Sequence, residues 1–260
     1  MSENILANIR IVLVEPAGAL NVGSIARVMK NMGLTRLVLV NPRCDIRDES
    51  ARIMAVHAVD VLDNAVVASS LPEALAGCRK AIATTVRSRS VPINLEAPPA
   101  ALPWLLTPNI ESALIFGAED RGLSNDELKY AQKFVCVQSN PDYPSLNLAQ
   151  AVAICSYELY QAWLKMSDNP AQTVVSQPTL REESIPTNAP IDVLEGYYQH
   201  LEEVLLEIGY LYPHTVPVKM EKFRRLYNKA NLQPEEVAML RGILRQVRWA
   251  IKQGGNPKSD

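Results

Sequence analysis

Ile9-Arg-Ile-Val-Leu-Val14, Asn21-Val-Gly-Ser-Ile-Ala-Arg-Val-Met-Lys-Asn-Met-Gly33 and Leu37-Val-Leu-Val40 together decide the fold class of this chain. The first and third are short runs of branched apolar residues with little polar alternation, the pattern of strands buried on both faces of a parallel sheet. The middle one sets Val22, Ile25, Ala26, Met29 and Met32 three or four positions apart, on one face of a helix. Gly33 stands where such a helix would close in a left-handed residue. Strand, helix and strand in succession make a βαβ unit, and the expected fold is α/β, a mostly parallel sheet covered by helices. Working outward, further strands are expected at Ala81 to Thr85, Ala113 to Phe116 and Phe134 to Val137, with helical material near Ser50 to Val59 and Pro72 to Cys78. Ser124-Asn-Asp-Glu127 has capping-box spacing and predicts a helix running through Leu128 and Ala131. A longer helix is expected after Ser145, where Leu148, Val152, Cys155, Leu159 and Trp163 repeat at helical spacing.

A polar, proline-bearing tract with no periodicity follows, and beyond it Ile191 to Leu211, Val218 to Ala230 and Pro234 to Lys252 read as three amphipathic helices. The expected organisation is an α/β domain over 1–165, a linker over 166–190 and a small helical domain over 191–260. With 48% hydrophobic and 21% charged residues the chain has ample material for a core. No apolar run approaches the roughly 20 residues a bilayer span needs, and MSENILANIR lacks a signal-peptide pattern, so the expected location is cytoplasmic, off the membrane. Cys44, Cys78, Cys136 and Cys155 form no CxxC pair, and His57, His200 and His214 have no ligand spacing, so no metal is expected. The net charge of −2 conceals an uneven distribution: Pro213 to Lys258 holds ten Lys or Arg against three Asp or Glu, a candidate footprint for phosphates.

Three glycine- or asparagine-bearing segments follow expected strands, where open α/β sheets bind ligands: Asn21-Val-Gly-Ser-Ile-Ala-Arg27, Gly117-Ala-Glu-Asp-Arg-Gly-Leu123 and Pro144-Ser-Leu-Asn147. Glycines there let backbone approach a ligand or take up positive φ, and exposed amides can meet an adenine edge or a carboxylate. Each segment alone also has a bland reading: close helix packing for Gly23, ordinary turns for Gly117 and Gly122, and a surface salt bridge for Arg27.

In order and spacing, these segments resemble the three signature motifs of SPOUT methyltransferases, in the branch that methylates ribose 2′-hydroxyls. IRIVLVEP, NVGSIARVMKNMGL, LVLVNP, TTVRSR, FGAEDRGLSNDEL and PSLNLAQAV are together similar to the TrmJ-type tRNA enzymes, which act on nucleotide 32 of the anticodon loop. The resemblance covers about the first 165 residues, and the helical extension matches that group in length and position. It implies a SPOUT domain knotted as a deep trefoil, S-adenosyl-L-methionine as cofactor, tRNA as substrate and a homodimer with cofactor sites at its interface.

Carried over by motif, the resemblance implies a cofactor pocket of Thr84, Thr85, Gly117, Glu119, Gly122, Leu123, Val137, Ser145, Leu146 and Asn147, much of it through backbone groups. Arg27 is the implied catalytic arginine: a ribose hydroxyl is a poor nucleophile and needs alignment with the methyl–sulfonium bond, which a guanidinium beside a phosphate can provide. Asn21, the second implied catalytic residue, is expected to cap its helix and to touch RNA or that arginine. Arg87 and Arg89, with Lys222, Arg224 and Arg225 in the basic C-terminal stretch, are the candidate RNA contacts. Ala118 and Asp120 depart from the family, which often has a basic or bulkier residue after the first glycine. The rivals are a SPOUT ribosomal RNA methyltransferase and a non-catalytic RNA-binding protein of the same fold. A nucleotide-dependent oxidoreductase is disfavoured because no GxGxxG follows the first strand.

Overall fold

The computed structural model describes residues 5–86, 94–168 and 188–254. The chain divides into two compact units, Met1–Glu182 and Glu183–Asp260. In the first unit β1 (Ile9–Val14) leads to α1 (Ala19–Asn31), β2 (Arg36–Val40), α2 (Glu49–Ala55), α3 (Val59–Asp63) and β3 (Val66–Ala68). Then follow α4 (Leu71–Ala74), β4 (Lys80–Thr84), β5 (Leu95–Glu96), α5 (Pro98–Ala101), β6 (Ser112–Phe116), α6 (Asn125–Leu128), β7 (Lys133–Val135) and α7 (Leu148–Asp168). Among the described residues these strands form one seven-stranded sheet, order β3-β2-β1-β6-β4-β7-β5, with every pairing parallel.

The strand order explains where a ligand can go. From β1 the chain builds outward through β2 to β3, then crosses to the other side, where β6 lies between β1 and β4 and β7 lies beyond β4. That reversal is a topological switch point, and the crevice it opens lies at the carboxyl ends of β1, β6, β4 and β7. β1 and β6 are the middle of the sheet, with Ile11, Val12, Leu13, Leu114, Ile115 and Phe116 at 1% exposure or less. Their continuous apolar runs follow from burial on both faces.

Helix α1 buries Val22, Ile25, Ala26 and Met29 and packs on α2 and α7. It closes as expected: Gly33 has φ +69°, its N–H donates to Lys30 O, and Leu34 N–H reaches back to Met29 O. Gly23 has no spare room, because a Cβ built on it would lie 2.1 Å from the Ala51 carbonyl oxygen of α2. The helix-packing reading of this glycine is therefore the correct one. The capping box forms with both of its hydrogen bonds, but α6 stops at Leu128, short of the expected Ala131.

The second unit is built from α8 (Ile191–Glu207), α9 (Val216–Ala230) and α10 (Pro234–Gly254). Its own core holds Tyr197, Tyr198, Leu201, Val204, Met220, Val237 and Leu244. A partly buried ion pair fixes α9 to α8: Arg224 donates twice to Glu195, at 2.5 and 2.7 Å, and its guanidinium lies 4.4 Å from the Tyr198 ring centre.

Candidate active site

A cavity opens at the carboxyl edge of the sheet. Its floor is Phe116 and Val135 at the ends of β6 and β7, together with Leu148 and Ala151 of α7. Its walls are Thr84, Thr85 and Val86 beyond β4, the whole segment Gly117 to Leu123 beyond β6, and Val137, Ser145 and Leu146 on the approach to α7. Every candidate cofactor residue named from sequence lines it except Asn147. Sequence reasoning missed Phe116, Val135, Leu148 and Ala151, which carry no polar signature and read as core, and also Val86, Ala118, Asp120 and Arg121 on the loops.

The Gly117–Leu123 segment is a tight turn. Ala118 and Gly122 pair as an antiparallel bridge, with Gly122 N–H donating to Ala118 O at 2.8 Å, and Gly122 has φ +68°. A Cβ on Gly117 would sit 2.2 Å from the Gly122 carbonyl carbon, so the turn closes only around a glycine. Both glycines are turn residues and pocket residues at once. The capping box braces the far side of the turn: Arg121 grips Glu127 with two hydrogen bonds of 2.8 Å, and Glu127 receives Ser124 N–H.

Glu119 reaches out of this turn to the start of α1. It accepts Ala17 N–H at 3.0 Å, Gly18 N–H at 3.2 Å and Asn21 Nδ2 at 3.2 Å. Gly18, the N-cap, has no side chain to offer and α1 has no acid in its first turn, so this carboxylate does the capping from across the sheet. Partial burial works against its charge, yet the hydrogen bonds from Ala17, Asn21 and Gly18 outweigh it and hold the carboxyl below its ordinary range.

One expectation about Asn21 is corrected here: Asn21 does not cap α1, which starts two residues earlier, under Glu119. Asn21 instead relays between motifs, donating to Glu119 and accepting Asn147 Nδ2 at 3.1 Å. Asn147, expected on the cofactor, caps α7, its Oδ1 receiving Ala149 N–H at 2.8 Å. The chain Asn147, Asn21, Glu119 therefore ties all three motif segments together beside the cavity, meeting its wall at Glu119.

Arg27 is exposed, shows no partner among the described residues and does not line the cavity of its own chain. Arg87 and Arg89 lie outside the described residues. Of the C-terminal candidates, Lys222 and Arg225 are exposed on α9, whereas Arg224 is engaged by Glu195 inside the helical unit and is not free to meet RNA. Lys219 and Arg248 are also held within that unit, by Tyr210 O and by Glu203 and Glu207. Lys229, Arg241 and Arg245 remain exposed. Among the described residues no cluster of His, Cys, Asp or Glu could hold a metal ion.

A parallel sheet with its cavity at a switch point, walled by Thr84–Val86 beyond β4 and by the motif segments Gly117–Leu123 and Ser145–Leu146, is the arrangement expected of a SPOUT-class α/β methyltransferase domain. Comparison with known proteins narrows this. Residues 8–157 match the SpoU rRNA Methylase family, and residues 192–257 match the C-terminal domain of the tRNA methyltransferase TrmJ. The chain is 42% identical over 244 residues to the tRNA (cytidine/uridine-2′-O-)-methyltransferase TrmJ of Cronobacter sakazakii, covering 93% of this chain and 96% of that one. It is 41% identical over 249 residues to the protein of the same name from Escherichia coli K12, covering 95% and 98%. Among solved structures, TrmJ from Z. mobilis ZM4 superposes with a TM-score of 0.78 at 33% identity, covering 92% of this chain and 98% of that one. A probable methylase family protein from Haemophilus influenzae superposes at 0.62 with 34% identity, covering 96% and 99%. The chain belongs to the SpoU methylase family, in the group of the TrmJ enzymes.

Proposed function

We propose that this protein uses S-adenosyl-L-methionine to methylate the ribose 2′-hydroxyl of a cytidine or uridine in tRNA, at nucleotide 32 of the anticodon loop. The observation that carries the reading is a cavity walled by two of the motif segments, to which the third is tied through Asn21, in a chain about 40% identical along nearly its whole length to enzymes named for that reaction. The cavity suits the cofactor: an apolar floor of Phe116, Val135 and Leu148 faces walls of turn backbone able to meet an adenine edge or a carboxylate. Thr84 gives its hydroxyl to Ile115 O at 3.0 Å, so its part is to shape the wall rather than to donate to a ligand.

When bound, the cofactor supplies an already activated methyl group on a sulfonium, and the protein's task is geometry. Glu119, Asn21 and Asn147 hold the motif segments in register, while Arg27 orients the ribose through an adjacent phosphate. Because Arg27 faces away from its own cavity, a second copy completes the site. Helices α1 and α7, which pack together, expose Leu20, Ile154 and Tyr157, an apolar face suited to a homodimer contact next to the motif residues. The exposed Lys222, Arg225, Lys229, Arg241 and Arg245 would guide tRNA onto the helical unit. No helix among the described residues is long and apolar enough to cross a membrane; a tRNA substrate supports a cytoplasmic location.

The test is to incubate the purified protein with methyl-labelled cofactor and tRNA transcripts, then map the methylated riboses. A 2′-O-methyl group at nucleotide 32 is the expected result. Methylation only at another nucleotide, or only in ribosomal RNA, would replace the substrate assignment, and no transfer to any RNA would leave the binding-module reading.

A further inference from the structure

Glu119, Asp120 and Arg121 are consecutive, and each grips a different element. Glu119 takes the start of α1, as described above. Arg121 reaches Glu15 at 3.1 Å and Glu127 at 2.8 Å. Asp120 is held by Arg43, from the segment after β2, through two parallel hydrogen bonds of 2.9 and 3.0 Å. Arg43 donates again to Glu15 O at 3.2 Å, stands 3.8 Å from the Glu15 carboxylate, and its backbone N–H donates to Pro16 O at 2.9 Å. One arginine thus joins the ends of β1 and β2 to the turn that walls the cavity.

Backbone conformation supports a role for this junction. Glu15 sits at φ +48°, in a region that costs a residue with a Cβ, and it does so where its carbonyl and carboxylate both meet Arg43 while the carboxylate also meets Arg121. Surface ion pairs are individually weak, but a bidentate arginine–carboxylate pair within a network is the geometry in which they count.

We propose that Arg43 is a positioning residue for the cofactor: by clamping Asp120 to Glu15 it fixes the Gly117–Leu123 turn in the shape that receives S-adenosyl-L-methionine. This rests on the cavity being the cofactor site. Arg43 touches neither cofactor nor RNA; it acts through Asp120 and Arg121, both of which line the cavity. It also gives Asp120 a purpose in this chain: the acid that departs from the family pattern is answered by an arginine from the segment after β2.

The experiment measures cofactor affinity by calorimetry, and KM for cofactor against kcat, for the full chain, Arg43→Ala, Asp120→Asn and the double swap Arg43→Asp/Asp120→Arg. The wild type must first bind the cofactor; if it does not, the functional reading fails before this one is reached. Given that binding, Arg43→Ala and Asp120→Asn are each expected to weaken affinity about tenfold and to raise KM in step, with kcat at saturating cofactor changed less than about twofold. The swap is expected to recover at least half of the lost affinity on a logarithmic scale. A purely structural pair would lower the melting temperature without this selective rise in KM. If Arg43→Ala does not fold, Asp120→Asn, altered at an exposed side chain, decides the matter alone. Affinity within twofold of wild type in the folded variants would overturn the proposal.

Discussion

Replacing Gly23 by alanine sets two effects of opposite sign against each other. Alanine in a helix interior is favoured over glycine by about 1 kcal/mol, so propensity alone says the variant is more stable. Packing says otherwise. The new Cβ would stand 2.1 Å from Ala51 O and 2.9 Å from Ala51 Cα and carbonyl carbon, all backbone, where ordinary contact begins at 3.4 Å. No rotamer change relieves that, so α1 and α2 must part by more than 1 Å at a place where Ala51 and Ala55 are fully buried. Overpacking costs about 1–3 kcal/mol, and a clash with backbone belongs at the upper end of that range. The net expectation is a loss of about 2 kcal/mol, which for a unit of this size lowers the melting temperature by about 4–8 °C. Thermal unfolding followed by circular dichroism, with urea unfolding as a second measure, reads it directly. A variant as stable as the wild type, or more so, would refute the packing argument and leave propensity in charge.

Arg27→Ala is expected to keep its fold, because the side chain is exposed and makes no bond among the described residues, while methyl transfer falls by roughly 100-fold or more through lost alignment; near-normal turnover in a single-turnover assay would remove Arg27 from the site. Glu119 carries a depressed pKa, so its stabilising bonds are fully present above its ordinary value of 4.5 and are lost as pH falls through the lower folded-state value. The difference in melting temperature between wild type and Glu119→Gln should therefore shrink as pH falls from 6 to 3, and a difference constant over that range would show that the charge of Glu119 is irrelevant. Ending the chain after Asp168 should leave a dimer by sedimentation that still binds cofactor but has poor tRNA affinity. If five of the exposed basic residues, Lys222, Arg225, Lys229, Arg241 and Arg245, each neutralise a phosphate, the full chain's log–log salt slope should exceed the truncated one's by about 3.5–4.5. Equal slopes would leave the helical unit without an RNA role.

The sequence determined whatever is written in periodicity and local chemistry. β1 is where its apolar run is, α1 ends at Gly33, the capping box forms at Ser124, and three amphipathic stripes become three helices, because these depend on residues a few positions apart. Short elements with little of their own to declare, such as β3 and β5, were not legible, since neighbours in the sheet rather than their few residues make them strands. The segments that approach the cavity were recognisable as motifs, but not what each side chain does in them. Asn21 and Asn147 looked like a cap and a ligand contact; they became a relay and a cap because Glu119, nearly a hundred residues from Asn21, arrives at the start of α1 first. Arg224 looked like one more basic residue on a charged helix until Glu195 folded against it. Arg43, Asp120 and Glu15 are far apart in the chain and unremarkable in composition, and only the strand order β2-β1-β6 places their loops side by side. Hydrogen bonds and ion pairs between distant residues need a fold to bring donor and acceptor within about 3 Å, and that is a property of the tertiary structure alone.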